Sequence, residues 1–315
     1  MNIKAILKLI RPVNLAIMVL TLLLVRYCIF LPVFRQNGLE GLMPDWQFLL
    51  LLIATLFIGA GGYVINDVLD VEMDKINKPG KMVIGKQISD VIGKNLHFRL
   101  TAIGVAFGVI FSYFSGNIFL GILFVIIPTA LFYYSYKYKY LPAVGNLVVA
   151  ALSSLVVIIY WVFEFYHLKS QPELFVEASR YFVLLNRLIL SFALFAFLVS
   201  FTREIAKDSQ DIEGDSRFGC RTLPIVTGIP GIRIFLLSLE IITIAGIAWF
   251  QMLLFNSGYS VMAYILAIPQ LLLVLSLLFT IKAGNKNSFA RLSHLFKLIM
   301  LTGMLSLVTT WMRNI

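Results

Sequence analysis

Nine apolar runs dominate the chain, near residues 14–34, 47–65, 98–115, 118–135, 142–163, 183–202, 231–251, 259–281 and 295–312. Each is close to the ~20 residues that a helix needs to cross a bilayer. Inside lipid, backbone N–H and C=O groups are satisfied only within helices or closed barrels. These runs are continuous rather than alternating, so helices are expected and a barrel is not. Composition agrees: 60% of the 315 residues are hydrophobic and 13% are charged, with mean hydropathy +0.90, a profile foreign to soluble domains. The expected fold is all-α: a multi-pass membrane protein, about nine transmembrane helices in one bundle around a central cavity. Lys4, Lys8 and Arg11 precede the first run in the manner of a signal peptide. No small-residue cleavage site follows, so the run is read as the first span.

Charge orients the bundle. With the N-terminus in the cytoplasm, the inner loops and helix ends hold 20 of the 26 basic residues, as the positive-inside rule requires. The outer side keeps Arg26, Arg35, Lys169, Arg180, Arg187 and Arg313. The expected location is the cell membrane, with the N-terminus and the polar loops discussed below cytoplasmic. The net charge of +10 is then a property of those loops, and no nucleic-acid partner is expected. Nothing in the chain points to an obligate protein partner. Cys28 and Cys220 fall on opposite sides and should not pair, and His97, His167 and His294 have no zinc spacing.

Acids are scarce and concentrated. Of sixteen, nine are Asp67, Asp70, Glu72, Asp74, Glu204, Asp208, Asp211, Glu213 and Asp215. Segments 66–74 and 207–215 share the pattern x-D-x-x-D-x-x-x-D, with a Glu two places before the last Asp. At about 100° per residue, Asp67, Asp70 and Asp74 share one helix face, as do Asp208, Asp211 and Asp215. Three like charges on one face call for a cation among them. Mg²⁺ suits carboxylate and phosphate oxygens, and two such faces opposed across a cavity would hold a diphosphate. Glu72 and Glu213 point roughly 140° away and are read as solvated or paired with loop lysines. Each motif is followed by a basic, glycine-containing loop, 75–95 and 216–230, the first expected to close as a lid over bound diphosphate. Helix, motif and loop therefore recur, which suggests an internal duplication within a single domain spanning 1–315.

These motifs resemble the two signatures of the UbiA superfamily of intramembrane prenyltransferases. Arg11-Pro12-Val13-Asn14 is similar to its R-P-x-N entry to the first helix, and Tyr133 to Lys137 to its Y-x-x-x-K. The run Gly214-Asp215 through Gly219 to Thr222-Leu223-Pro224 is similar to its G-D-x-x-x-G-x-x-T-L-P tail. Arg203-Glu204-Ile205 ahead of the second motif, and Asp74-Lys75-Ile76-Asn77-Lys78-Pro79 after the first, resemble the branch that prenylates glyceryl-phosphate ether lipids. Lys78 stands where that branch has Arg, and Val83-Ile84-Gly85 replaces its P-S-G.

The resemblance implies Mg²⁺-dependent transfer of a polyprenyl, geranylgeranyl-like group from its diphosphate to a lipophilic acceptor, first a glyceryl-phosphate ether lipid. An aromatic acceptor of quinone or tetrapyrrole synthesis is the alternative. A divalent-cation transporter is the rival of another class, disfavoured because the acids cluster on one side. Asp67, Asp70, Asp74, Asp208, Asp211 and Asp215 would hold the metal. Asp67, Asp70, Asp208, Asp211 and Lys137 are the candidate catalytic groups. Asn14, Asn66, Lys78, Tyr133, Asn146, Arg203 and Lys207 are candidate substrate contacts. Arg203 has a second reading, an inside-rule arginine paired with Glu204, and the other tyrosines between 133 and 140 read as an interfacial aromatic belt.

Overall fold

The computed structural model describes residues 3–77, 79–80 and 82–312. An interfacial helix, α1 (Ile3–Ile10), is followed by α2 (Pro12–Gln36) and α3 (Asp45–Leu69). Then come a short α4 (Val71–Asn77), α5 (Asp90–Phe114), α6 (Ile118–Tyr136) and α7 (Val144–Lys169). A short α8 (Pro172–Ser179) precedes α9 (Phe182–Arg217), α10 (Leu223–Asn256), α11 (Ser260–Lys282) and α12 (Lys286–Met312). Among the described residues nine of these helices are long and apolar enough to cross a membrane, one for each apolar run. They outlast the runs because polar ends continue the backbone hydrogen-bond ladder beyond the hydrocarbon. The longest extension is in α9, whose apolar part stops near 202 while the helix carries on to Arg217.

Contacts divide the chain into two compact units. The first takes in Met1–Leu22, Leu39–Lys139 and Ile159–Arg180. Its backbone is the close pair α3 and α5, where two glycines let the helices meet. A Cβ on Gly61 would lie 2.5 Å from Thr101 Oγ1, and one on Gly104 would lie 2.9 Å from the backbone nitrogen of Ile58. Glu164, fully buried, accepts from the Tyr160 hydroxyl at 2.6 Å and from the Met43 amide at 3.0 Å. Below the motif, Ala5 and Leu9 of α1 share an apolar cluster with Val64, Ile65 and Val68 of α3 and with Val83, Ile84 and Ile88 of the following loop. That loop therefore has a packed half as well as a polar one.

The second unit takes in Leu23–Gly38, Tyr140–Ile158 and Tyr181–Ile315. In it α2 passes through a π-helical turn, Val25–Phe30. Such a turn frees carbonyls from the ladder, and two are claimed from α12: the Thr310 hydroxyl donates to Cys28 O and Trp311 Nε1 donates to Tyr27 O. Phe195 of α9 lies against Gly303 of α12, where a Cβ would come within 2.3 Å of the ring. Helix α10 bends at Gly228, which takes φ 68° ahead of Pro230. Deeper in α10 the buried Glu240 accepts a hydrogen bond at 2.6 Å from Thr280 of α11.

Candidate functional site

The first motif straddles a helix junction. Helix α3 ends at Leu69, and Asp70 takes φ −94° and ψ 3°, outside helical values, before α4 begins. The amide of Asp70 still donates to Asn66 O at 3.0 Å and that of Asp74 to Asp70 O at 2.8 Å. Asp67 thus lies in the last turn of α3, Asp70 is its cap and Asp74 belongs to α4, whereas spacing alone puts all three on one unbroken helix. Both helix-end carboxylates are largely buried and each meets a cation. Arg11 Nη2 reaches Asp67 Oδ1 at 2.5 Å, and its guanidinium lies 5.1 Å from the centre of the Tyr63 ring. Burial works against the Arg11 charge, but Asp67, helped by Tyr63 and Tyr134, holds its pKa above the ordinary value. Arg11 has φ +54°. Pro12 disfavours the right-handed helical region for the residue before it, so this left-handed turn is where α1 ends and α2 begins.

Asp70 is held on both oxygens. Lys139 Nζ donates to Oδ1 and Asn66 Nδ2 to Oδ2 at 2.9 Å. Ser135 of α6 donates in turn to Asn66 Oδ1 at 3.4 Å, so the amide is oriented from both ends. Lys137 is not the partner. Helix α6 stops at Tyr136, Lys137 takes φ −138° as its cap and lies exposed, and the short turn Tyr138–Tyr140 swings Lys139 onto the carboxylate. Tyr133 is likewise exposed, its ring stacked on Tyr138 at 6.1 Å. Asn14 sits partly buried in the first turn of α2, its amide donating to Arg11 O at 2.9 Å. Lys78 lies outside the described residues. Glu72 is exposed and paired with Lys75 at 2.6 Å, the solvated role expected of it.

The second motif lies on unbroken helix. α9 runs continuously through Asp208, Asp211 and Asp215, so their shared face survives, and all three are partly buried. Asp208 Oδ2 accepts from Asn146 Nδ2 at 2.7 Å. Asn146 is buried in the first turn of α7, just after Ala143 at φ 59°. Its side-chain amide faces a motif carboxylate; the sequence reading has it as a contact to the acceptor. Arg203 Nη1 and Lys207 Nζ both turn to the buried Glu204, at 2.6 and 3.3 Å, so the pairing reading of Arg203 is the one seen. Its Nε is buried with no partner. Glu213 is exposed and pairs with Arg217 at 2.9 Å. The tail from Gly214 to Pro224 is helix punctuation: Gly219 has φ 72°, the Cys220 amide donates to Asp215 O at 3.0 Å, and Thr222 with Pro224 opens α10.

Among the described residues no three His, Cys, Asp or Glu side chains gather closely enough to hold a metal ion. The donors at the first motif are nonetheless hard oxygens, two carboxylates and an amide carbonyl, the set that Mg²⁺ accepts. The donor chemistry therefore fits, although cations now engage the carboxylates. Lys139 and Arg11 were not named as site residues from sequence. The signal for Arg11 was its place in R-P-x-N; for Lys139 there was none beyond proximity to Lys137.

Comparison with known proteins follows the same lines. A sequence model of the UbiA prenyltransferase family matches residues 13–301. The chain is 33% identical over 183 residues to the digeranylgeranylglyceryl phosphate synthase of Sulfurisphaera tokodaii, covering 58% of each. It is 35% identical over 190 residues to that of Pyrococcus furiosus, covering 60% of each. The chain thus aligns with about 60% of the length of these curated relatives. A solved membrane digeranylgeranylglyceryl phosphate synthase is similar in fold, with TM-score 0.65 at 23% identity over 98% of both chains. A UbiA homolog of Archaeoglobus fulgidus bound to GPP and Mg²⁺ is similar with TM-score 0.54 at 15% identity, over 96% of this chain and 99% of that one.

Proposed function

The chain belongs to the UbiA prenyltransferase family, and from that premise we propose that it transfers a geranylgeranyl-type group from its diphosphate to a glyceryl-phosphate ether lipid. The observation that carries the reading is the first motif, where Asp67, Asp70 and Asn66 meet Arg11 and Lys139 at the end of an apolar helix. Buried charge at a membrane helix end is costly even when paired, and such groups mark ligand or ion sites by default. The GPP and Mg²⁺ held by the Archaeoglobus homolog support a prenyl diphosphate and Mg²⁺ as that ligand and its metal. The activity of the relatives supports the acceptor.

The acceptor hydroxyl attacks C1 of the prenyl group, the bond from C1 to the diphosphate oxygen breaks, and the hydroxyl proton leaves to base. Asp67, Asp70 and Asp74, and on α9 Asp208, Asp211 and Asp215, would hold Mg²⁺, whose charge when bound would offset that of the diphosphate leaving group. Asn66 and Asn146 position one carboxylate in each motif. Lys139 and Arg11, which pair with the carboxylates of the first motif, and Lys78, four residues beyond it in sequence, stabilise phosphate oxygens as negative charge grows. Arg203, with its unpartnered Nε, and Lys207 serve the acceptor phosphate. Lys137, Tyr133 and Asn14 take outlying places, as wall rather than reacting groups. Residues 1–315 act as one catalytic domain descended from a duplicated helix–motif–loop unit. The N-terminus and both motif loops face the cytoplasm from the cell membrane.

The deciding experiment incubates purified protein in lipid nanodiscs with radiolabelled geranylgeranyl diphosphate and an acceptor panel, with and without EDTA. Label should enter geranylgeranylglyceryl phosphate and be lost with EDTA. Efficient labelling of 4-hydroxybenzoate or a naphthoate, with the glycerophosphate ignored, would reject the acceptor and keep the family.

A further inference from the structure

We propose that Arg11 and Lys139 are resident counter-ions of the first motif, and that a divalent ion binds there by displacing them. The proposal rests on the metal reading above and deepens it. Among the described residues, three of the four oxygens of Asp67 and Asp70 are engaged: Asp67 Oδ1 by Arg11, Asp70 Oδ1 by Lys139 and Asp70 Oδ2 by Asn66. A Mg²⁺ ion needs those lone pairs, and a cation hydrogen-bonded to the same oxygen opposes it by charge as well as by space. Two carboxylates facing one guanidinium and one ammonium are already neutral as a group. Mg²⁺ alone therefore gains little by entering. Mg²⁺ arriving with diphosphate gains much, because the displaced cations find new anionic oxygens on the ligand.

The backbone at Arg11 points the same way. Its φ of +54° is a conformation that a side chain with a Cβ rarely adopts. Contacts with Asp67 and the Tyr63 face accompany it, and loss of the ion pair removes part of what secures the turn. What lies N-terminal to that turn is not idle. Ala5 and Leu9 of α1 pack on Val83, Ile84 and Ile88, the buried half of the loop that follows the motif. Exchange of the counter-ion thus reaches the loop through α1, and ties loop position to diphosphate rather than to metal alone.

The test reads Mn²⁺ binding by electron paramagnetic resonance, using full-length protein in nanodiscs. An Asp208→Asn, Asp211→Asn background confines the signal to the first motif. In that parent, Mn²⁺ should bind weakly until inorganic diphosphate is added. Arg11→Gln and Lys139→Gln should each bind Mn²⁺ without diphosphate at least about tenfold more tightly. Adding Asp67→Asn to the first, or Asp70→Asn to the second, should abolish the gain. The two variants are separate lines of attack, so a folding defect in one leaves the other decisive. If both bind Mn²⁺ no more tightly than the parent, while diphosphate still recruits the ion, the counter-ion role is wrong and the prenyl-transfer reading stands. If neither the parent nor the protein with both motifs intact recruits Mn²⁺ even with diphosphate, both fall.

Discussion

Two residues apart in sequence, Lys137 and Lys139 have different surroundings. Lys137 caps α6 and faces outward, while Lys139 is bound to Asp70. Lys139→Ala should therefore lower kcat/KM for prenyl diphosphate by about 100-fold, the scale of losing one charge-stabilising donor, and Lys137→Ala should change it by less than about threefold. Steady-state assays with the labelled diphosphate decide this, and equal losses would return Lys137 to the site. Asn146 invites a similar comparison. Its amide donates to Asp208 at 2.7 Å from a buried position. Asn146→Leu keeps the bulk but leaves the carboxylate without its orienting donor, so kcat should fall about tenfold or more while the protein keeps its thermal midpoint within a few degrees. A large change in acceptor KM at unchanged kcat would instead make Asn146 an acceptor contact.

At the scale of elements, close helix approach is what places the first motif. Gly104 on α5 meets the backbone of Ile58 on α3, with 2.9 Å to its nitrogen for any added Cβ. Backbone cannot move aside as a side chain can, so Gly104→Ala should cost about 1–3 kcal/mol. Gly246 on α10 has nothing within 4 Å, and Gly246→Ala should be neutral or gain up to about 1 kcal/mol from helix propensity. Unfolding midpoints of the two variants in one detergent check the contrast, which would be lost if the α3–α5 approach were looser. The loop after the first motif is likewise less free than its glycines and lysines suggest. Val83, Ile84 and Ile88 are all buried against α1 and α3. Ile84→Ala should destabilise by about 2–4 kcal/mol, the usual cost of emptying a packed site, whereas a mobile lid residue would cost almost nothing.

For the whole molecule, the decisive prediction is topological. The motifs come at the ends of the second and sixth candidate spans, so an even number of crossings should separate them and both should fall on one side of the membrane. Glu72 and Glu213 are exposed beside the two motifs, and Glu173 in α8 is exposed on a segment expected on the opposite face. Cysteines placed at these positions, in a background without Cys28 and Cys220, should react with an impermeant maleimide from opposite sides: 72 and 213 from the cytoplasm, 173 from outside. Labelling of 72 and 213 from different sides would refute the span count.

The sequence by itself determined the spans, the family and the two acid clusters. Hydropathy is a local sum that each segment carries alone, and sixteen acids in 315 residues are too few for two matching clusters to hide. The polar half of each site was decided only by the tertiary structure. Arg11 meets Asp67 across 56 positions, Lys139 meets Asp70 across 69, and Asn146 meets Asp208 across 62. None of these pairs follows from helical spacing, because each depends on how helices far apart in the chain come to rest against one another. Even the three-Asp face shows the division. On α9 the helix runs unbroken through the second motif to Arg217, whereas α3 ends at Leu69 and Asp70 caps it inside the first. Whether a helix continues through a motif is settled by what packs around it, and that information is spread over the fold rather than held in the motif.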